Sequence, residues 1–144
     1  VQIMFCLYSV CRHPLILVFS LLIIFPHKYI ILGMWLHTHN QIVCKAALAA
    51  LCNISVNVET NEVVEITAED LNAIVVVMRA NQTSKPVQES AIILLRNFTF
   101  SRNNVHMLEQ YQCIVPLVQA AMSNFNDHFR GRAEDVLRVL PSIR

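Results

Sequence analysis

The side chains able to do chemistry in this sequence are few, and they do not converge. His37-Thr38-His39 is the nearest thing to a metal-binding pair, with Cys44 a short way beyond it. A zinc site needs a second Cys/His pair at matching spacing, and the sequence has none. Cys6 and Cys11 are spaced too widely for the usual two-residue hook, so no metal is assigned. There is no glycine-rich phosphate loop, no Gly-x-Ser-x-Gly elbow and no HExxH pair. With two glycines in the chain, close backbone approach to a phosphate has little support. The acidic side chains are scattered instead of being paired against an apolar wall. We expect no catalytic site and no cofactor. What remains is suited to non-covalent contact: the amides Asn53 and Asn97, and the charged pair Glu89 and Arg96.

Composition agrees with a non-enzymatic helical chain. The 144 residues suffice for one domain with a core. Hydrophobic residues make up 55% and charged residues 15%, which excludes a disordered or nucleic-acid-coating chain. A net charge of +1 exerts no long-range pull on phosphate or acidic lipid. The charge is unevenly placed: residues 1–36 carry only Arg12 and Lys28, and all ten acidic side chains lie beyond them. Five cysteines (Cys6, Cys11, Cys44, Cys52, Cys113) form an odd, irregular set, read as reduced structural thiols in a reducing, cytoplasmic compartment. Val1 in place of Met leads us to expect an N-terminal truncation.

Residues 1–27 are treated apart as an apolar segment. Its densest part, Leu15–Phe25, has 11 residues between Pro14 and Pro26, whereas a membrane span takes about 20. Three readings stand: a membrane anchor or signal-like segment, a degenerate repeat capping a helical domain at 28–144, or translated non-coding sequence. Extended to residue 36, the segment would allow an alternative organisation, a membrane-anchored protein with a small helical cytosolic domain.

From residue 28 onward the sequence repeats. Val43–Ser55 aligns with Val87–Thr99 at an offset of 44: Val43 with Val87, Ala47 with Ala91, Leu51 with Leu95, Asn53 with Asn97, each asparagine followed two residues later by a hydroxyl. A third copy, 42 residues further, aligns Ala133 with Ala91, Leu137 with Leu95 and Leu140 with Phe98. The intervening apolar stretches Ile30–Met34, Ile74–Met78 and Ile114–Val118 repeat too. Such a period falls in the range of helical repeat proteins, about 40–47 residues.

Spacing within each copy is helical. Val87, Ala91, Leu94, Leu95 and Phe98 recur at steps of three and four, and Ala47, Leu48, Leu51 and Ile54 form the equivalent stripe. Ser84 can cap the helix at 87–98, with Pro86 in its first turn. Thr67-Ala-Glu-Asp70 resembles a capping box opening a helix at 71–80. Pro141 stops a last helix at 129–140. No stretch sustains a two-residue alternation, so an all-α fold is expected, each unit being a short helix, a longer apolar helix and a long helix ending in Asn-x-Ser/Thr.

Ala47-Leu48-x-x-Leu51-x-Asn53-Ile54-Ser55 and Ala91-Ile92-x-x-Leu95-x-Asn97-Phe98-Thr99 resemble the third-helix ending of the armadillo-repeat family. Asn104-x-x-x-Leu108 followed by Cys113–Val118 resembles its first two helices. The resemblance covers 28–144. It implies a right-handed α-solenoid of three-helix units whose concave groove, lined by third helices, holds an extended peptide or protein segment through asparagine side chains. Carried over, it implicates Asn53 and Asn97. The structural alternative is that each asparagine bonds its own backbone or the neighbouring unit's loop. Arg96 and Glu89 are placed on the exposed side of the same helix, as partner contacts or as a solvated polar face. The family's glycine before the second helix is missing, with Asp70 and Gln112 in its place, so a looser or reshaped turn is expected. Ala49 and Ile93 stand where nuclear-import receptors have tryptophan, which argues against that role. Of three glycosylation-type triplets, at Asn53, Asn81 and Asn97, only Asn81 lies in an expected loop, and all three are discounted.

Overall fold

A computed structural model describes residues 26–57, 62–125 and 129–140. Among these, seven helices appear: α1 (Pro26–Leu36), α2 (Gln41–Ile54), α3 (Ala68–Ala80), α4 (Lys85–Phe98), α5 (Arg102–Gln110), α6 (Ile114–Asn124) and α7 (Arg130–Val139). The all-α expectation holds. The readings of residues 1–25 lie outside the described residues.

Helix starts follow local chemistry. The Asn40 side chain accepts hydrogen bonds from the backbone N–H groups of Ile42 and Val43, satisfying two donors that the first turn of α2 leaves unpaired. Thr67 and Asp70 form the expected capping box at α3: the Asp70 N–H donates to Thr67 Oγ1, and the Thr67 N–H donates to Asp70 Oδ2. The reshaped turn at Asp70 is therefore a closed one. Ser84 occupies the cap position of α4, but its hydroxyl makes no capping bond and is buried without a partner. Pro86 in that first turn removes one of the donors a cap would serve.

One element departs from the three-helix pattern. Where the second unit should open with a short helix, the chain makes a two-residue antiparallel ladder, β1 (Val56–Asn57) with β2 (Glu62–Val63), pairing Val56 with Val63 and Asn57 with Glu62. Valines at both ends of a short excursion favour a pleated pairing, and with so few residues no periodicity signals it beforehand.

The packing runs in two series. Helices α2, α4 and α7 pack in succession, as do α1, α3 and α6, and the series are joined by the pairs α1–α2, α3–α4 and α6–α7. A single core fills the space between them, from Met34 through Leu48, Ile74, Leu95 and Val118 to Leu140. Helix α1 belongs to that core: Met34 is fully buried, and α1 packs on both α2 and α3. At 11 residues it is about 16 Å long, roughly half the thickness of a bilayer's hydrocarbon. No helix among the described residues is long and apolar enough to cross a membrane.

The junction of α1 and α3 is held by charge. Lys28 Nζ donates to Asp70 Oδ1 at 2.6 Å and to Thr67 Oγ1 at 3.1 Å. Asp70 is 2% exposed; burial alone would raise its pKa, but the Lys28 hydrogen bond and the Thr67 N–H and hydroxyl outweigh burial and hold it below the ordinary value of 3.8. The folded carboxyl thus binds its proton more weakly than the unfolded one. Its contribution to stability is complete above 3.8 and fades as pH falls through the lower folded value. Asp70→Asn is expected to lower stability at neutral pH and to flatten the acid limb of a pH–melting-temperature curve; an acid limb as steep as in the parent chain would show that other carboxylates govern it.

Candidate functional site

The four residues singled out in the sequence lie on α2 and α4, but the structure gives them different surroundings. Asn53, in the last turn of α2, is exposed. Its counterpart Asn97, in the last turn of α4, is half-buried and reaches across to α2: its Nδ2 donates to the Ser55 hydroxyl at 2.9 Å and to the Cys52 carbonyl at 3.3 Å. Ser55 is itself buried and donates to the same carbonyl at 2.8 Å. Asn97 therefore ties the neighbouring unit's helix end, leaving only its Oδ1 for another contact.

Arg96 and Glu89 face the other way, toward α7. Arg96 Nε lies 2.9 Å from Asp135 Oδ2, and its guanidinium sits 5.6 Å from the centre of the exposed Phe100 ring. Glu89 Oε1 lies 3.7 Å from Arg132 Nη1. All four charged groups remain part-exposed, so the pairs are screened by water and are worth little. Arg96→Gln is expected to change the unfolding free energy by less than about 1 kcal/mol in urea titration. A larger loss would make Arg96 a structural strut instead of a surface group.

The structure also engages polar side chains that the sequence did not mark as contacts. Asn104 is buried, its Nδ2 donating to the Val64 carbonyl at 2.9 Å while its Oδ1 accepts from the Ile66 N–H at 3.0 Å. The Tyr111 hydroxyl donates to the Ala68 carbonyl at 2.7 Å. Asn81 is buried, with its Nδ2 donating to the carbonyls of Thr38 and Val77. With both amide hydrogens engaged and the side chain enclosed, Asn81 is not available to a glycosyltransferase in the folded state. Gln88, also buried, donates to the carbonyls of Met78 and Asn81 and closes the α3–α4 loop. The signal available in the sequence was position alone: Asn81 begins the α3–α4 loop and Asn104 lies in the first turn of α5, just past the end of a unit.

The remaining chemical groups are quiet. His37 and His39 are exposed in the α1–α2 loop, and the Cys44 thiol is turned to the carbonyls of His37 and Thr38, at 3.4 and 3.3 Å, instead of their imidazoles. Burial raises the Cys44 pKa and lifts that of Cys52 to about 11, so both stay protonated at neutral pH and are poor nucleophiles. Cys44, Cys52 and Cys113 are unpaired thiols. One surface depression along α1, of about 370 Å3, is bordered by Leu32, Trp35 and Ala73 and does not include Asn53 or Asn97. Comparison with protein-family models, with curated proteins and with solved structures finds no significant match.

Proposed function

We propose that this chain is part of an armadillo-like right-handed α-solenoid, a non-catalytic scaffold that presents a groove to an extended peptide or protein partner. One observation carries the reading. The long-range hydrogen bonds between units each join residues 38 to 45 apart, one sequence period. An up-and-down bundle would instead join sequential neighbours and next-but-one helices at shorter separations. Separations clustered around one period are what stacking of equivalent three-element units produces.

In this reading α2, α4 and α7 are the third helices and line the groove. Asn53 is its best-placed contact, because its amide is exposed and can both donate to and accept from a peptide backbone. Asn97 contributes a carbonyl oxygen from a position already fixed by α2. Glu89 and Arg96 flank the line, within ion-pair distance of Arg132 and Asp135. An extended segment bound in this way matches its main-chain groups to the amides and places side chains between helices. The reading carries a cytoplasmic location, in keeping with the unpaired thiols.

The test is selection of binders from a display library of random linear peptides, followed by titration against the parent chain and Asn53→Ala. Loss of one such hydrogen-bonding side chain should weaken binding roughly five- to tenfold with an unchanged melting temperature. Equal affinity would remove Asn53 from the site.

A further inference from the structure

Large apolar side chains are not exposed evenly over this surface. Six stand out among the described residues, and four of them, Leu32, Trp35, Leu36 and Ile42, fall on α1 and the start of α2. Scattered exposure is ordinary, whereas a concentration of it marks a surface that meets a partner. Part of this patch is concave. Steps of four and three place Lys28, Leu32 and Trp35 on one side of α1, where they border the depression of about 370 Å3 that Glu69, Asn72 and Ala73 of α3 complete. Trp35 is 56% exposed, so most of its indole is open to a visitor. The depression belongs to the series α1, α3, α6, whereas Asn53 and Asn97 stand on α2 and α4. It is a surface apart from the proposed groove.

Charge selects the occupant. The depression is bordered by one cation, Lys28, and two carboxylates, Glu69 and Asp70. Lys28 Nζ holds both oxygens of Asp70, at 2.6 and 2.7 Å, which leaves one net negative charge, on the exposed Glu69. Its own backbone N–H and the Thr67 hydroxyl hold the Glu69 carboxyl below its ordinary value, so it is ionised at neutral pH. Lys28 and Trp35 stand seven positions apart, about 10 Å along the helix. The carboxylate near Lys28 therefore marks one end of the depression and the indole the other, with Leu32 and Ala73 between them. A lysine side chain carries the matching pattern, an apolar stem tipped by an ammonium. We propose that this depression docks a lysine of a protein partner, its ammonium at Glu69, its stem over Leu32, and an adjoining apolar residue of the partner against Trp35.

Trp35 is the single tryptophan of the chain, so the tryptophan emission of the full chain reports on this depression alone. The probes are the blocked peptide acetyl-Leu-Lys-Leu-amide and its glutamine- and glutamate-centred counterparts, titrated at matched ionic strength. The lysine peptide should move the emission to shorter wavelength and bind about fivefold more tightly than the glutamine peptide, with the glutamate peptide weakest. Glu69→Gln removes the carboxylate and Asn72→Lys places a competing cation in the depression, both at exposed positions. Each should erase the preference for lysine while circular dichroism stays unchanged, and Asn72→Lys decides alone if Glu69→Gln frays the start of α3. Unaltered emission with the lysine peptide, equal affinity for the three peptides, or a preference that survives the substitutions overturns the proposal. An emission shift that follows chain concentration without peptide would assign the surface to a second copy and overturn it too. So would a shift on phosphatidylcholine vesicles that Glu69→Gln leaves intact and that the lysine peptide does not reverse, which would assign it to a lipid surface.

Discussion

Leu95→Ala is expected to lower the unfolding free energy by about 3–4 kcal/mol, the largest single effect in this chain. Leu95 is fully buried on α4, the helix that packs against both α2 and α7. Truncation removes most of the side chain's transfer energy and leaves a void that neighbours held on two sides fill poorly. Folded domains retain only about 5–15 kcal/mol in total, so the loss should move the urea midpoint far down while leaving the slope unchanged. Leu137, at the matching position on α7, is only half-buried, and Leu137→Ala should cost less than half as much. Equal costs for the two substitutions would deny α4 its central place, and with it the succession α2, α4, α7.

The second large effect concerns a polar group. Asn104→Ala should cost about 2–4 kcal/mol, because it leaves the Val64 carbonyl and the Ile66 N–H unpaired. Asn104 is 1% exposed, so water reaches the site poorly and cannot replace both bonds. Asn104→Leu should fare no better despite its apolar gain, since the two backbone groups would still lack partners. Hydrogen exchange gives a local readout: the Ile66 amide should exchange much faster in either variant. Retained protection at Ile66 would mean that the amide is satisfied elsewhere and that Asn104 is not the clamp. Asn97, bonded to Cys52 and Ser55 from a half-buried position, should show the same effect on a smaller scale.

The contrast between these asparagines bears on function. An exposed amide at a helix end, as at Asn53, is available to a partner. An enclosed one, as at Asn81 or Asn104, is committed to the fold, because a buried polar group without its hydrogen bonds is too costly to free for binding. Residue type and spacing are the same in Asn53 and Asn97, yet their surroundings differ because α2 precedes α4 in the stack, and no described helix stands before α2 as α2 stands before α4.

By itself the sequence determined where the helices run and which faces they bury. Steps of three and four among Val87, Ala91, Leu94, Leu95 and Phe98 force one apolar stripe whatever the stripe meets, and Thr67 with Asp70 fixes the start of α3 through bonds made within four residues. These are local consequences of backbone geometry, so the 44-residue repetition could be read directly. Only tertiary structure decided what lies beyond a few residues: that Lys28 neutralises Asp70 from 42 positions away, that Arg96 and Glu89 are taken up by α7, that a short ladder stands where a helix was expected, and that Asn97 turns back to α2 while Asn53 stays in water. The physical reason is common to all four. Hydrogen bonds and ion pairs between units depend on distances set by packing, and a side chain's type does not say which neighbour arrives within 3 Å of it.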